Sequence, residues 1–132
     1  MKRLINSFDK LKAWQEAHKL VVMIYKVTTS FPKHEMYRLT DQLCRSASSI
    51  AAILVEGNSR GSRKEYIHFV FQARASLEEL KYHLLLAKDL GYLDESLYNK
   101  LMAQVDLVGK LINGLLRYLK SSRNVQYPKS NI

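Results

Sequence analysis

The chain has 132 residues, 47% of them apolar and 25% charged, with one cysteine, two prolines and five glycines. That composition suits a single globular domain large enough to bury a core without staples. It excludes an intrachain disulfide and a cysteine metal cluster. The balance of 21 Lys+Arg against 12 Asp+Glu gives +9 and a pI near 9.7, the electrostatic footprint of a protein that meets polyanions.

In chain order, the opening residues Met1 to Ser7 are basic and lack an apolar run, so no secretory leader is expected. No stretch approaches the ~18 apolar residues of a membrane span, and the cytoplasm is the expected location. Apolar residues then recur at steps of three and four in four blocks. The first carries Leu11, Trp14, Ala17, Val21, Ile24 and Phe31, and stops at Pro32, which disfavours helix for the residue before it. The second carries Leu39, Leu43, Ala47, Ile50 and Leu54 and stops at Gly57, ahead of a loop with Asn58, Ser59, Gly61 and Ser62. The third runs from Tyr66 through Phe69, Ala73, Leu77, Leu80 and Leu84 to Ala87, ending before Gly91. The fourth runs from Leu97 through Leu101, Val105, Val108, Ile112 and Leu115 to Leu119, with Asp94 placed to cap its start. These blocks predict an all-α, antiparallel up-and-down four-helix bundle in one domain, with helices over about 8–30, 36–57, 63–90 and 94–121. A polar tail over 122–132 is expected to fray.

The second block is apolar nearly all round from Ser49 to Val55, as in helices buried on more than one side. It is read either as a broad core stripe or as an oligomer contact through Ile50, Ile53 and Leu54. Cys44 reads as a small buried hydrophobe.

No chemistry-bearing constellation assembles from the sequence. Glu65 and His68 have the Glu-x-x-His spacing of dimetal bundles, but the motif occurs once and the fourth block has no histidine and no glutamate after Glu95. Glu79 and His83 read as a surface pair. His18 and His34 have no sequence-near partner of interest. Ser46, Ser48 and Ser49 cluster without an activating base. No enzyme activity, metal or cofactor is expected. Tyr37, Tyr66, Tyr82, Tyr92, Tyr98, Tyr118 and Tyr127 read as core-edge packing.

The cations are spread along the chain: Arg60, Arg63 and Lys64 cluster at the second loop, and Lys110, Arg117, Lys120 and Arg123 follow one polar stripe of the last helix. Such residues neutralise phosphates and release counterions, although a solvated face has the same pattern. Arg45, Arg60, Arg63, Lys64, Arg74, Lys110 and Arg117 are the candidate nucleic-acid contacts. No recognition helix or exposed aromatic set suggests base readout.

Arg45-Ser46-Ala47-Ser48-Ser49-Ile50 followed by Val55-Glu56-Gly57-Asn58-Ser59-Arg60 resembles the "RAxxSIxxNIAEGxxR" signature of the four-helix-bundle proteins encoded in intervening sequences of bacterial 23S ribosomal RNA genes. Leu11, Trp14, Ala17, the run Phe31-Pro32 to Leu39 with Glu35 and Tyr37, then Phe69, Ala73, Ser76, Leu77, Glu79 and Leu90-Gly91-Tyr92 extend the likeness over about residues 8 to 120. Ile53 stands where the family has asparagine, Val55 and Ala75 where it has alanine and glycine. The resemblance implies the bundle fold, and an arginine partner for Glu56 is expected at the end of the second helix. The accessory variability determinants of diversity-generating retroelements are similar in fold. They imply a basic homo-oligomeric ring, a pentamer, that binds RNA or DNA. A protein-protein adaptor that engages a polymerase or reverse transcriptase through the surface of the second helix is the alternative, and a metal-carboxylate bundle enzyme centred on Glu65 and His68 is a remote third reading.

Overall fold

A computed structural model describes residues 11–121. They form four helices: α1 (Lys12–Thr28), α2 (Leu39–Asn58), α3 (Arg63–Asp89) and α4 (Glu95–Ser121). Neighbours in sequence pack together, and α1 closes against α4, giving the expected up-and-down bundle. The buried stripe of each helix follows the 3.6-residue period. It comprises Ala13, Ala17, Leu20 and Ile24 in α1, Leu43, Ala47, Ile50 and Leu54 in α2, Tyr66, Val70, Ala73, Leu77, Leu80 and Leu84 in α3, and Leu101, Val105, Val108, Ile112 and Leu119 in α4.

Hydroxyl groups finish α1. Thr28 Oγ1 donates to the Tyr25 carbonyl at 3.2 Å and Thr29 Oγ1 to that of Lys26 at 2.7 Å, two of the last-turn carbonyls that lack an i+4 partner. After Phe31-Pro32 the chain makes a short 3-10 turn, Lys33–Glu35, and α2 starts at Leu39 rather than near 36. Arg38 is non-helical (φ −123°, ψ −105°), and the Glu35 carboxylate accepts the Leu39 N–H at 3.2 Å in the role of a cap. Residues 8–10 of the expected first helix and the tail 122–132 lie outside the described residues.

The other ends follow their sequence signals. Ser62 Oγ accepts the Glu65 N–H at 3.0 Å, and Asp94 Oδ1 accepts that of Leu97 at 2.8 Å. Gly91 adopts φ +84° beyond α3, so that its N–H reaches the Lys88 carbonyl and the Tyr92 N–H the Ala87 carbonyl, both at 2.9 Å.

The tightest seam is α2 against α3. A Cβ on Gly57 would lie 2.8 Å from the Phe69 Cβ, so only glycine admits this approach. Tyr66 donates to Asn58 Oδ1 at 3.2 Å beneath it, and the Ser49 and Ser76 hydroxyls meet at 3.0 Å further along. Ala75, standing where the family has glycine, is exposed and takes no part.

This packing corrects the reading of α2. Ile50 and Leu54 are each 0% exposed and fill the core of their own bundle, so neither is available to a second subunit. Gly57 and the small residues Ser46, Ala47 and Ala51 let α2 sink against both neighbours, which is why its apolar face is broad. Ile53 is half-buried against the same core. Cys44 is half-buried too, its sulfur 3.7 Å from Thr28 Oγ1.

Candidate nucleic-acid interface

Antiparallel order brings the start of α1, the α2–α3 loop and the end of α4 to one end of the bundle. With each helix divided at its middle, that half holds nine cations among the described residues: Lys12, Lys19, Arg60, Arg63, Lys64, Arg74, Lys110, Arg117 and Lys120. Of the described carboxylates, Glu16, Glu56 and Glu65 oppose them there. The other half holds seven cations and eight carboxylates. Charge that is dispersed along the sequence is therefore segregated along the bundle axis, and the two halves differ in sign.

Glu16 offsets this excess at Lys12 and Lys19 only. It is buried, accepts from Gln104 Nε2 at 2.9 Å through both its side chain and its main-chain carbonyl, and lies 3.7 and 3.5 Å from Lys12 and Lys19. The Gln104 hydrogen bond, aided by the two lysines against the cost of burial, holds its carboxyl below the ordinary glutamate value. Glu56 is committed to Arg60, with Oε2 3.1 Å from the guanidinium, the arginine partner expected for this glutamate.

The cations of α3 and α4 form a continuous face. On α4, Lys110, Asn113, Arg117 and Lys120 follow one another at steps of three and four. On α3, Arg74 donates to Asn113 Oδ1 at 3.1 Å, which fixes the two helices' outer faces side by side. The Arg74 guanidinium and the Lys120 ammonium lie 4.9 and 4.7 Å from the centroid of the same Phe71 ring. Arg63, Lys64, Ile67 and Lys120 line a shallow recess between the helices at the loop end. A second recess holds Lys64 with Arg60, and a third, between α1 and α4, holds Lys12, Lys110 and Arg117. Among the described residues, Lys64, Arg74, Lys110, Arg117 and Lys120 form no ion pair with a carboxylate.

Five of the seven expected contacts, Arg63, Lys64, Arg74, Lys110 and Arg117, thus share one face. Arg60 borders it, its charge shared between Glu56 and the Phe69 ring at 4.7 Å. Arg45 does not belong to it: it lies on α2 in the other half, 3.9 Å from Asp41. Phe71 and Lys120 are additions. The step from Arg117 to Lys120 signals the lysine in sequence, but the ring that gathers Arg74 and Lys120 becomes visible only when α3 meets α4. Arg123 and Tyr127 lie outside the described residues.

The remaining motifs resolve into local contacts. His68 pairs with Gln72 at 3.2 Å, and His83 lies 3.5 Å from Glu79. Among the described residues, no three His, Cys, Asp or Glu side chains gather as metal ligands. The Ser46 and Ser48 hydroxyls donate to carbonyls of their own helix. Tyr66 is buried and Tyr92, Tyr98 and Tyr118 are half-buried, but Tyr37 and Tyr82 stand out in solvent at 87% and 59% exposure rather than at the core edge. Tyr37 sits where the chain turns into α2, and Tyr82 on the outer side of α3, so neither ring has a helix to pack on.

No curated protein sequence matches the chain. A solved structure of a protein of unknown function from the S23 ribosomal protein family, from Bacteroides thetaiotaomicron, has the same fold: TM-score 0.72 at 21% identity, over 80% of this chain and 98% of that one. The sequence profile of the 23S rRNA-intervening sequence proteins matches residues 9–114, which include all four helices up to the last turns of α4. By that match the chain belongs to the 23S rRNA-intervening sequence protein family.

Proposed function

We propose that this chain is a non-catalytic nucleic-acid-binding bundle whose α3–α4 face and adjoining loop hold RNA or DNA through phosphates, without strong sequence specificity. The observation that carries this reading is the segregation of charge, nine cations to three carboxylates in one half against seven to eight in the other. Among the described residues Lys64, Arg74, Lys110, Arg117 and Lys120 form no ion pair with a carboxylate, so their charge is available for an external anion, and phosphate contacts of this kind carry no sequence information. The test is titration of a labelled RNA at rising salt. With six or more phosphates engaged, affinity falls by roughly 10³ or more between about 50 and 200 mM salt. A flat response, or no binding at low salt, overturns the reading.

The same proposal includes a cytoplasmic location and self-association into a ring, with the basic ends of several subunits joined into one working surface. Since Ile50 and Leu54 belong to the core, the apolar contribution of α2 to such an interface is confined to half-buried Ile53 and Val55 and exposed Ala52. Light scattering at the 15.3 kDa chain mass would remove the ring. Among the described residues, no helix is long and apolar enough to cross a membrane.

A protein-partner reading is favoured by a different observation. The exposed apolar side chains Met36, Tyr37, Tyr82, Leu85 and Leu90 all lie in the half that is not basic. Recovery of one protein in a pull-down after nuclease treatment supports an adaptor role at that end.

A further inference from the structure

We infer that the basic face takes nucleic acid as a duplex, gripping the two backbones on either side of a groove, and does not bind single strands by base stacking. The inference rests on the phosphate-binding reading above and concerns the form of nucleic acid it holds.

Proteins that bind single strands interleave cations with open aromatic rings, because each splayed base needs a ring to stack on. Here the exposed tyrosines and the cations are separated, and Tyr118, the ring that lines the recess of Lys12, Lys110 and Arg117, is half-buried. The exposed tyrosines, Tyr25, Tyr37 and Tyr82, all lie in the half that is not basic. In the basic half every described aromatic ring of α1 to α3 is already engaged. Trp14 stacks on His18 with centroids 5.0 Å apart, Tyr66 is buried, Phe69 carries Arg60, and Phe71 carries both Arg74 and Lys120. These rings hold cations in place rather than offering a face to a base.

The arrangement of the cations fits two strands. Arg63 and Arg74 mark a row on α3 about 16 Å long, at 1.5 Å per residue. Lys110, Arg117 and Lys120 mark a parallel row on α4, and packed helix axes lie about 8–10 Å apart. That spacing falls between the roughly 6 and 12 Å widths of the two grooves of a B-form duplex. The two helices cannot enter one groove together. Two neighbours side by side are about 20 Å across with their side chains, against about 12 Å for the wider groove. Contact made through both rows at once is therefore with the backbones.

The test is fluorescence anisotropy on the full chain at about 50 mM salt. The probes are RNA and DNA duplexes of about 20 base pairs, and an unstructured poly-uridine strand of about 40 nucleotides that matches them in phosphates. At least one duplex is expected to bind about tenfold or more tightly than the strand, and the better duplex identifies the sugar preferred. Equal or tighter binding of the strand overturns the inference and leaves phosphate binding standing. Failure of every probe to bind overturns both. Phe71→Leu keeps an apolar side chain in the seam and frees Arg74 and Lys120. It is expected to weaken duplex binding about three- to tenfold. A loss confined to the single strand would show that the ring stacks on bases and overturns the inference. If circular dichroism shows that Phe71→Leu is unfolded, Arg74→Gln on the exposed surface is read in its place. Arg74→Gln is expected to weaken duplex binding, and no effect on the duplex counts against the two-row grip.

Discussion

The Tyr92 hydroxyl donates a 2.8 Å hydrogen bond to Glu35 Oε2, joining the loop before α4 to the turn before α2 across 57 residues of sequence. The other oxygen of the same carboxylate accepts the Leu39 N–H, and the Phe31 and Tyr92 rings meet at 5.3 Å below it. One buried carboxylate thus caps α2 and ties together both connections at the end of the bundle opposite the basic loop. Phe31, Glu35 and Tyr92 are all among the residues that carry the family likeness, and their role is to hold the scaffold.

This latch is sensitive to acid. The Tyr92 hydrogen bond, and next the Leu39 amide, outweigh burial and hold the Glu35 carboxyl below its ordinary value of 4.5. A carboxyl lowered in the folded state stabilises the fold above its unfolded value, and that contribution fades as pH falls below about 4.5 through the folded value. Glu16, lowered by Gln104, acts in the same direction. Thermal melts from pH 7 to 3 should show Tm falling in that window. Tyr92→Phe should lower Tm by roughly 4 °C at pH 7 and flatten the acid slope. An unchanged slope in Tyr92→Phe would show that the latch is not the acid-sensitive element.

Gly57 and Gly114 should respond to alanine with opposite signs. At Gly57 the new methyl meets the Phe69 Cβ at 2.8 Å, and forcing α2 from α3 costs about 1–3 kcal/mol, more than the helix propensity gained. At Gly114 the nearest atom is the Arg117 guanidinium at 3.8 Å, the mobile end of a side chain. Gly114→Ala should stabilise by about 0.5–1 kcal/mol. Urea denaturation of the two variants measures both.

Leu54→Ala should destabilise by about 2–5 kcal/mol, as expected of a fully buried leucine, without altering the mass in light scattering. Dissociation of an assembly while the unfolding midpoint holds would place Leu54 at a subunit boundary instead.

Lys110→Gln with Arg117→Gln should lower the slope of log affinity against log salt by about two for nucleic acid, since each phosphate left without its cation removes close to one. Arg45→Gln should leave that slope unchanged, because Arg45 lies beside Asp41 in the other half. Anisotropy titrations across a salt series separate the two outcomes.

The sequence by itself determined the four helices, their order and their stops. Apolar steps of three and four, Pro32, Ser62, Gly91 and Asp94 are local signals, and each acts through its own backbone within a turn or two. It did not determine what each apolar or charged residue would meet. Ile50 and Leu54 are as apolar in the core as they would be at an interface, and only the deep seat of α2, opened by Gly57, assigns them inward. Arg45 and Arg74 look alike as exposed helical arginines. Packing sets one beside Asp41 and the other over Phe71 with Lys120, which is 46 positions away. The basic face is a property of antiparallel order. α1, α3 and α4 each carry a modest positive excess while α2 does not, and folding the chain back on itself brings the cation-rich start of α3 and end of α4 together.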